Sequence, residues 1–453
     1  MVNPLIFREY DIRGRVGEDL TPETVVSLGR GFGTYTARKG VGSLMLGRDC
    51  RLSSSSFRDA MAEGLLSAGV NVVDVGICPT PLLYFSIVRF GGEGGVMVTG
   101  SHNPPEFNGF KMCVGTATLY GEQVQEIRRI IEKGDFASGK GKETRREVVP
   151  DYREYVKSNI SVPRRLKVVV DAGNGTAGPV APPLFRDLGM EVVELFCEMD
   201  GSFPNHFPDP TIPENLRDLI RTVREESADV GIAYDGDADR IGAVNEKGEI
   251  LYGDSLLVLF AREILRRKPG ATVISEVKAS QNLYDDIARH GGRPVMWKAG
   301  HSLIKKKMKE ESAEVAGEMS GHIFFADRYL GFDDAIYASA RLFEILARSD
   351  RPLSEMLSDL PPVVATPEIR VECPDEDKFL VVEKVAEIVR PQAKEVIDVD
   401  GVRALFDGGW GLVRASNTQP VLVLRFEGKD QKTVDQIRAV MESAVEAAKS
   451  GIR

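Results

Sequence analysis

Three aspartates at alternate positions, Asp235, Asp237 and Asp239, lie in the run Asp235-Gly236-Asp237-Ala238-Asp239-Arg240. In an extended segment that spacing sends all three carboxylates to one side. Packed carboxylates repel one another unless a cation lies between them. An all-oxygen donor set favours a hard ion, and Mg²⁺ prefers to complete its shell with phosphate or water. An EF-hand is disfavoured: Glu246 stands at the twelfth position, but Arg240 occupies the sixth, where that loop turns on glycine. The plain alternative is a solvated acidic turn or a structural Ca²⁺ loop. Arg240 beside the triad would screen its charge or hold a phosphate.

A second stretch, Thr99-Gly100-Ser101-His102-Asn103-Pro104-Pro105, follows the apolar run Gly95-Val96-Met97-Val98. Ser101 at a strand's end would be a nucleophile or a phosphoryl carrier, in a turn whose N–H groups converge on an anion. His102 and Lys111 are close enough in sequence to supply protons or positive charge. On local evidence alone, a polar turn capped by Ser and Asn reads equally well. Lys298-Ala299-Gly300-His301-Ser302 offers a cation, an imidazole that can exchange protons near neutral pH, and a hydroxyl. The bland reading there is a helix capped by Ser302. Lys278 is a weaker single residue. Glu318 and Ser320, in Gly317-Glu318-Met319-Ser320-Gly321-His322, suit a pair of vicinal sugar hydroxyls. Arg414, Ser416, Asn417 and Thr418 combine a guanidinium fork, hydroxyls and turn N–H groups, as a phosphate clamp needs. Gly173-Asn174-Gly175-Thr176 fits neither a P-loop nor a dinucleotide fingerprint and reads as a tight βα turn.

The elements that must position these loops repeat. Strand, helix, strand, helix and strand succeed one another from Ser43 to Val98, from Leu166 to Tyr234 and from Ala271 to Ala316, with Gly69, Gly189 and Gly291 stopping helices. That pattern implies three similar α/β domains with mixed, mostly parallel sheets. In each repeat the third strand leads into one of the unusual loops: Ser101, Asp235 to Arg240, Glu318 to His322. Ligands of open α/β sheets bind at carboxyl ends of strands, so the three loops would share one cleft if the domains pack around it. After Pro361-Pro362 the strands alternate in polarity, which predicts a C-terminal α+β domain with an antiparallel sheet. The expected domains are residues 1–146, 147–249, 250–361 and 362–453. The opening segment, residues 7–14, reads as a polar loop.

The 453 residues exceed one ordinary core, and 42% hydrophobic with 28% charged residues is the balance of a soluble globular chain. A net charge of −10 argues against nucleic acid or an anionic membrane as partner. No apolar run is long enough to span a bilayer, and the N-terminus lacks the form of a signal peptide. Five scattered cysteines, never spaced C-x-x-C, point to a reducing cytoplasm and to neither a disulfide frame nor a zinc site.

Taken together, the Thr-Gly-Ser-His-Asn-Pro, Asp-Gly-Asp-Ala-Asp-Arg, Gly-Glu-Met-Ser-Gly-His and Arg-Ala-Ser-Asn-Thr-x-Pro segments resemble the α-D-phosphohexomutase superfamily in order and spacing, over essentially the whole chain. The run Gly292 to Ser302 is most like the bacterial bifunctional phosphomannomutase/phosphoglucomutase branch. Phosphoglucosamine mutases typically carry Gln where Met319 stands, and Ser-Gly-Thr-Glu-Pro where this chain has Ser416 to Pro420. Ala238 and Ala299 replace a frequent Gly and a common Thr. The resemblance implies four domains around one cleft, a phosphorylated Ser101, and Mg²⁺ held by Asp235, Asp237, Asp239 and the phosphoserine. It implies that Glu318 and Ser320 hold sugar hydroxyls and that His322 belongs to the same binding loop. The Arg414 loop would grip the phosphate not being transferred. Arg13, Lys111 and Lys278 match cationic positions of the cleft, with Tyr10 beside Arg13, and His301 and Lys111 match proton-transfer positions. The implied reaction moves phosphoryl between the 1- and 6-positions of mannose or glucose phosphates through a 1,6-bisphosphate, in a cytoplasmic monomer. Phosphoglucosamine mutation and a metal-dependent serine phosphatase are the alternatives.

Overall fold

The computed structural model describes residues 2–416 and 419–451. The first sheet has seven strands: β1 (Ile12–Arg15), β2 (Ser43–Arg48), β3 (Asn71–Ile77), β4 (Gly94–Val98), β5 (Phe107–Val114), β6 (Ala117–Thr118) and β7 (Glu143–Arg145). They lie in the order β1-β5-β4-β2-β3-β7, with β6 on β5. β8 (Lys167–Asp171), β9 (Glu191–Leu195), β10 (Val230–Tyr234), β11 (Ile241–Asn245) and β12 (Ile250–Leu251) form the second, ordered β12-β11-β10-β8-β9. β13 (Thr272–Glu276), β14 (Arg293–Trp297), β15 (Val315–Gly317) and β16 (Ile323–Phe325) form the third, ordered β14-β13-β15-β16. The fourth is antiparallel. It holds β17 (Val364–Ala365), β18 (Ile369–Glu372), β19 (Glu395–Ile397), β20 (Val402–Phe406), β21 (Gly409–Ala415) and β22 (Val421–Gly428), in the order β17-β22-β21-β20-β19 with β18 on β22.

The first three sheets share one device. β4, β10 and β15 each run parallel to a neighbour (β2, β8, β13), and each is followed by an antiparallel return (β5, β11, β16). The Ser101, Asp235–Arg240 and Glu318–His322 loops are the connections where the chain reverses. All three outgoing strands are buried throughout, because helices cover them. On β10 that cover is so close that a Cβ on Gly231 would sit 2.6 Å from Val223.

One contiguous apolar core runs through the first three units. Met97, Phe85, Tyr152, Val168, Ile232, Phe260, Val273 and Phe343 all belong to it. The helix Ala335–Ala347 is buried along its whole length within it. The fourth unit has a core of its own, around Val385, Leu424, Phe426, Ile437 and Met441. A small apolar cluster, Val277, Trp410 and Leu412 with Met296, Val399 and Leu405 against it, lies where the two bodies join. No helix among those residues is long and apolar enough to cross a membrane.

The local readings need some correction. Residues 12–14 of the opening segment belong to a strand, β1, because they find an antiparallel partner in Asn108–Phe110 across the sheet edge. The helices Pro22–Ala37, Val149–Asn159 and Ala335–Ala347 had no counterpart in the sequence reading. Arg414 lies on β21, so its loop begins only after Ala415. Asn417 and Thr418 lie outside the described residues.

Candidate active site

Ser101 is buried, and it adopts a left-handed backbone with φ 50°. A non-glycine residue holds that conformation only when its surroundings impose it. Arg51 does so. Its guanidinium, wholly buried, donates to the carbonyls of Ser101 (2.8 Å), Asn103, Pro104 (2.7 Å) and Phe107 (3.0 Å), and to Asp49 Oδ2 (3.2 Å). Asp49 also accepts from the Gly100 N–H at 3.2 Å. Arg13, now on β1, reaches the same turn by donating to Asn103 Oδ1 at 3.1 Å.

The acidic loop meets this turn head-on. Ser101 Oγ donates to Asp235 Oδ2 at 2.8 Å. Gly236 is required here, since a Cβ on it would lie 2.5 Å from the Ser101 carbonyl. Ala238, at φ 56°, holds the loop's own left-handed position without that freedom. Thr176 N–H donates to the Gly236 carbonyl at 3.0 Å, so the Gly173–Thr176 turn acts as a brace for the acidic loop.

Asp235, Asp237 and Asp239 are all fully buried, and one ligand oxygen from each lies within 4.8 Å of the others. Lys111 Nζ donates to Asp237 Oδ2 at 2.7 Å and also to Asp239 Oδ2, while Thr80 donates to Asp237. Asp237 Oδ1 and Asp239 Oδ1 are left buried without a hydrogen-bond partner. Burial of such acceptors is costly, and two open carboxylate oxygens beside a third carboxylate fit a metal ion with oxygen preference. Burial, then repulsion from Asp237 and Asp239, pushes the Asp235 carboxyl well above the usual range. Burial opposes the charge on Lys111, but the three aspartates outweigh it and hold the ammonium well above its ordinary value.

The third loop docks on the second. Arg240 and His322 form an antiparallel bridge, and Arg240 Nε donates to His322 Nε2 at 3.0 Å. His322 Nδ1 then points toward Asp333 Oδ2 at 3.1 Å and Asp239 Oδ1 at 3.6 Å. Because Nε2 is an acceptor, the proton of a neutral imidazole lies on Nδ1, between the two carboxylates. His322 stacks on His301 with centroids 5.6 Å apart, and Asp333 faces both rings while pairing with Lys305 at 3.2 Å. Burial, then Lys305, keeps the His301 imidazole neutral, well below its usual pKa. His301 opens the helix His301–Glu311, whose N-cap is Gly300. Ser302 therefore caps nothing, and its Oγ is buried without a partner. Glu318 Oε1 accepts from the Gly300 N–H at 2.7 Å, and Tyr10 Oη donates to the Ala299 carbonyl at 3.0 Å, with its ring edge-on to His301. Ser320 is half-buried beside them.

A second group lies where the fourth unit meets the third. Lys278 donates to Glu368 Oε1 at 2.7 Å and stands 3.4 Å from Glu276. Glu276 is wholly buried; burial, with Lys278 opposing and Glu318 adding, raises its carboxyl to about 7. Arg414 Nε donates to Asp400 Oδ2 at 3.0 Å, and the same oxygen accepts from the Ala299 N–H at 3.0 Å. Ser416 Oγ accepts from the Gln419 N–H at 3.2 Å. The structure thus gathers Ser101, Lys111, the three aspartates, Arg240 and His322 into one cluster. Arg13 joins it through Asn103, and His301 through Asp333 and the ring stack. Lys278 and Arg414 stand in the other group. Sequence reasoning missed Arg51, Asp49, Asp209 (whose Oδ2 lies 2.8 Å from His102 Nδ1), Glu276, Asp333, Glu368 and Asp400, most of which meet a partner far away in the chain.

Four family models match in order along the chain. They are described as phosphoglucomutase/phosphomannomutase alpha/beta/alpha domain I (residues 4–138), domain II (150–248), domain III (252–364) and C-terminal domain (368–444). The chain is 48% identical over 447 residues to a phosphomannomutase/phosphoglucomutase of Pseudomonas aeruginosa, covering 99% of this chain and 96% of that one. It is 46% identical over 446 residues to a phosphoglucomutase of Neisseria gonorrhoeae, covering 98% and 97%. A crystal structure of a phosphoglucomutase/phosphomannomutase family protein from Burkholderia thailandensis superposes with a TM-score of 0.94 at 45% identity, covering 100% of this chain and 99% of that one.

Proposed function

Since the chain belongs to the phosphoglucomutase/phosphomannomutase family and is a hexose-phosphate mutase, we propose that Ser101 is its phosphoryl carrier, acting on mannose and glucose phosphates through a 1,6-bisphosphate. The observation that carries this reading is the 2.8 Å hydrogen bond from Ser101 Oγ into a buried carboxylate triad with two open oxygens. Asp235, Asp237 and Asp239 would hold Mg²⁺ together with the phosphoserine. When bound, the ion neutralises charge on the phosphoryl oxygens.

The chain's own residues account for the rest. Lys111, held as an ammonium, supplies positive charge beside the reacting group and stays protonated. His301, kept neutral, takes the proton of the attacking hydroxyl. Arg13 and Arg240 bracket the Ser101 turn with positive charge. Glu318, Ser320 and His322 hold the sugar, and Glu318 is braced by Gly300. Lys278, Arg414, Ser416, Asn417 and Thr418 grip the phosphate that is not being transferred, with Tyr10 at the same side of the cleft. A clamp able to take either phosphate lets the bisphosphate turn over between the two half-reactions. In this reading the domains run 1–146, 147–249, 250–361 and 362–453, the hinge is Pro361-Pro362, and the enzyme is a cytoplasmic monomer. Met319, in place of a glutamine, favours hexoses over glucosamine phosphate.

The test is direct. The enzyme is incubated with glucose 1,6-bisphosphate and Mg²⁺, digested and examined by mass spectrometry. A phosphate on Ser101, and loss of turnover of about 10³-fold or more in Ser101→Ala, are expected. Free phosphate in place of a 6-phosphate product would favour a phosphatase, and an active, unphosphorylated Ser101→Ala enzyme would overturn the carrier role.

A further inference from the structure

Asp398 and Asp400 stand two residues apart and meet different surroundings. Asp398 is 72% exposed and lies 3.5 Å from Arg390, an ordinary surface pair. The Asp400 side chain is only 14% exposed, in the turn that leads into β20. Val399 before it packs against the Val277, Trp410 and Leu412 cluster. Gly401 after it lies so close to β21 that a Cβ there would sit 2.6 Å from Arg414 Cβ. The turn is thus pinned on both sides, with the carboxylate between the fourth unit and the third.

One oxygen makes the bridge. Asp400 Oδ2 accepts from Arg414 Nε at 3.0 Å and from the Ala299 N–H at 3.0 Å. Burial opposes the charge on Arg414, but Asp400 and then Glu276 outweigh it and hold the guanidinium above its ordinary value. With Nε committed to Asp400, the donors that Arg414 keeps for a phosphate are its Nη groups. The Ala299 end matters equally. The Ala299 carbonyl accepts from Tyr10 Oη of the first unit at 3.0 Å, and the next N–H, of Gly300, donates to Glu318 at 2.7 Å. His301 begins its helix directly after. Successive peptide groups of this loop are therefore held by side chains from three units. Gly300 stands at φ 129°, and a Cβ there would meet the Tyr10 ring at 2.7 Å, so the loop is closely packed on that side.

We propose that Asp400 is a positioning residue that seats the guanidinium of Arg414 on the backbone of the His301 loop, so that phosphate clamp and loop take up their geometry together. This rests on Arg414 belonging to the phosphate clamp. Asp400 itself is not built to bind a phosphate, since a carboxylate is an acceptor only and repels an anion. It acts in two directions. Through Nε it aims the Nη groups of Arg414, and through the Ala299 N–H it fixes the backbone from which His301 and the Glu318 contact follow. A charged acceptor suits both tasks, because charge-assisted bonds are shorter and stronger than neutral ones.

A double-mutant cycle separates the two directions. KM and kcat for glucose 1-phosphate, with glucose 1,6-bisphosphate present, are measured in the parent, Asp400→Ala, Arg414→Ala and the double variant. Asp400→Ala should raise KM about 10-fold. The double variant should show no higher KM than Arg414→Ala alone, because without its partner Asp400 is only a repulsive charge at the phosphate site. Removing Asp400 should lower kcat about threefold or more in either background, since the Ala299 contact does not pass through Arg414. Asp400→Asn keeps an oxygen able to accept from both N–H groups and should hold KM within about threefold of the parent value. KM increases that multiply in the double variant, as a merely structural aspartate would give, would overturn the proposal. So would an unchanged KM in Asp400→Ala, or an Asn variant as impaired as the Ala variant. Arg414→Ala alone tests the premise: an unchanged KM there removes the clamp reading and this proposal with it, whereas a raised KM with multiplying effects removes only the role of Asp400.

Discussion

The Ser101 cluster and the Arg414 cluster are built in opposite ways. The first lies inside a body formed by three units with one continuous core, and its charges meet at contact distance: Ser101 on Asp235, Lys111 on Asp237 and Asp239, Arg240 on His322. The second belongs to a unit with a separate core, joined to the body by a small apolar cluster and a set of polar contacts. Those contacts use buried arginines. Arg403 donates to the carbonyls of Val277 (2.6 Å) and Ala279 (2.7 Å) and stacks 3.7 Å from the Trp410 ring, while Arg425 donates to the Lys278 carbonyl at 2.6 Å. The difference teaches which half can move. Breaking apart the first body would expose apolar surface at about 25 cal/mol for every Å², whereas separating the fourth unit mainly exchanges hydrogen bonds for water, at about 1 kcal/mol each.

Substitutions sharpen the contrast. The largest effect is expected at the rigid end. Asp237→Asn removes a charge that pairs with Lys111 and that the proposed metal site would need, and should lower kcat about 10²-fold or more. Titration with Mg²⁺ should show weakened metal dependence in that variant, and an unaltered Mg²⁺ requirement would remove Asp237 from the ligand set. Arg414→Ala acts at the other end. It should raise KM for glucose 1-phosphate about 10-fold or more, as expected for a lost charge-assisted bond, with a smaller effect on kcat. If kcat falls and KM holds, the clamp is wrongly placed. Arg403→Met is predicted to loosen the joint, and the backbone on either side of Lys278 with it, without removing a side chain of either site. Limited proteolysis should then cut near residue 362 faster, with KM raised severalfold, while unfolding of the first body is unchanged.

The smallest effect concerns pH. Asp334 accepts from Tyr152 (2.9 Å), Tyr329 (2.6 Å) and the Tyr337 N–H (2.9 Å) inside the first body. Burial raises its carboxyl from 3.8 to about 6. The folded chain thus binds this proton more tightly than the unfolded chain. Its contribution is complete below pH 4, falls as pH rises toward 6, and then stays constant. At about 1.4 kcal/mol for each pKa unit the change is about 3 kcal/mol at most. Denaturation of Asp334→Asn between pH 4 and 7 should lack this slope relative to the parent, and equal slopes would assign the titration elsewhere.

The repeat was legible because hydrophobic runs, glycine stops and polar loops are local signals. They located Ser101, Asp235–Arg240 and Glu318–His322, and the structure places each at the end of a parallel strand. What local signals do not carry is pairing. Nothing near Asp209, Asp333 or Arg51 in the chain announces that His102, His322 or the Ser101 carbonyl will be its partner, since those contacts close only when separate units pack. The antiparallel returns β5, β11 and β16 were missed for a similar reason. Their residues are as apolar as those of a parallel strand, and direction is decided by the reversing loop. Residues 12–14 look like a loop until β5 supplies the other half of a ladder.

Arg51 carries a last consequence. As the proposed phosphoryl carrier, Ser101 would present two different charges and sizes to its neighbours in each turnover. Four backbone carbonyls of the turn are held by a guanidinium about fifty residues earlier, which spends its donors on the backbone and on Asp49. The shape of the turn is therefore fixed by contacts that a load on the serine does not supply. In the carrier reading, such a fixed datum would let each cycle begin from the same geometry, however the last one ended.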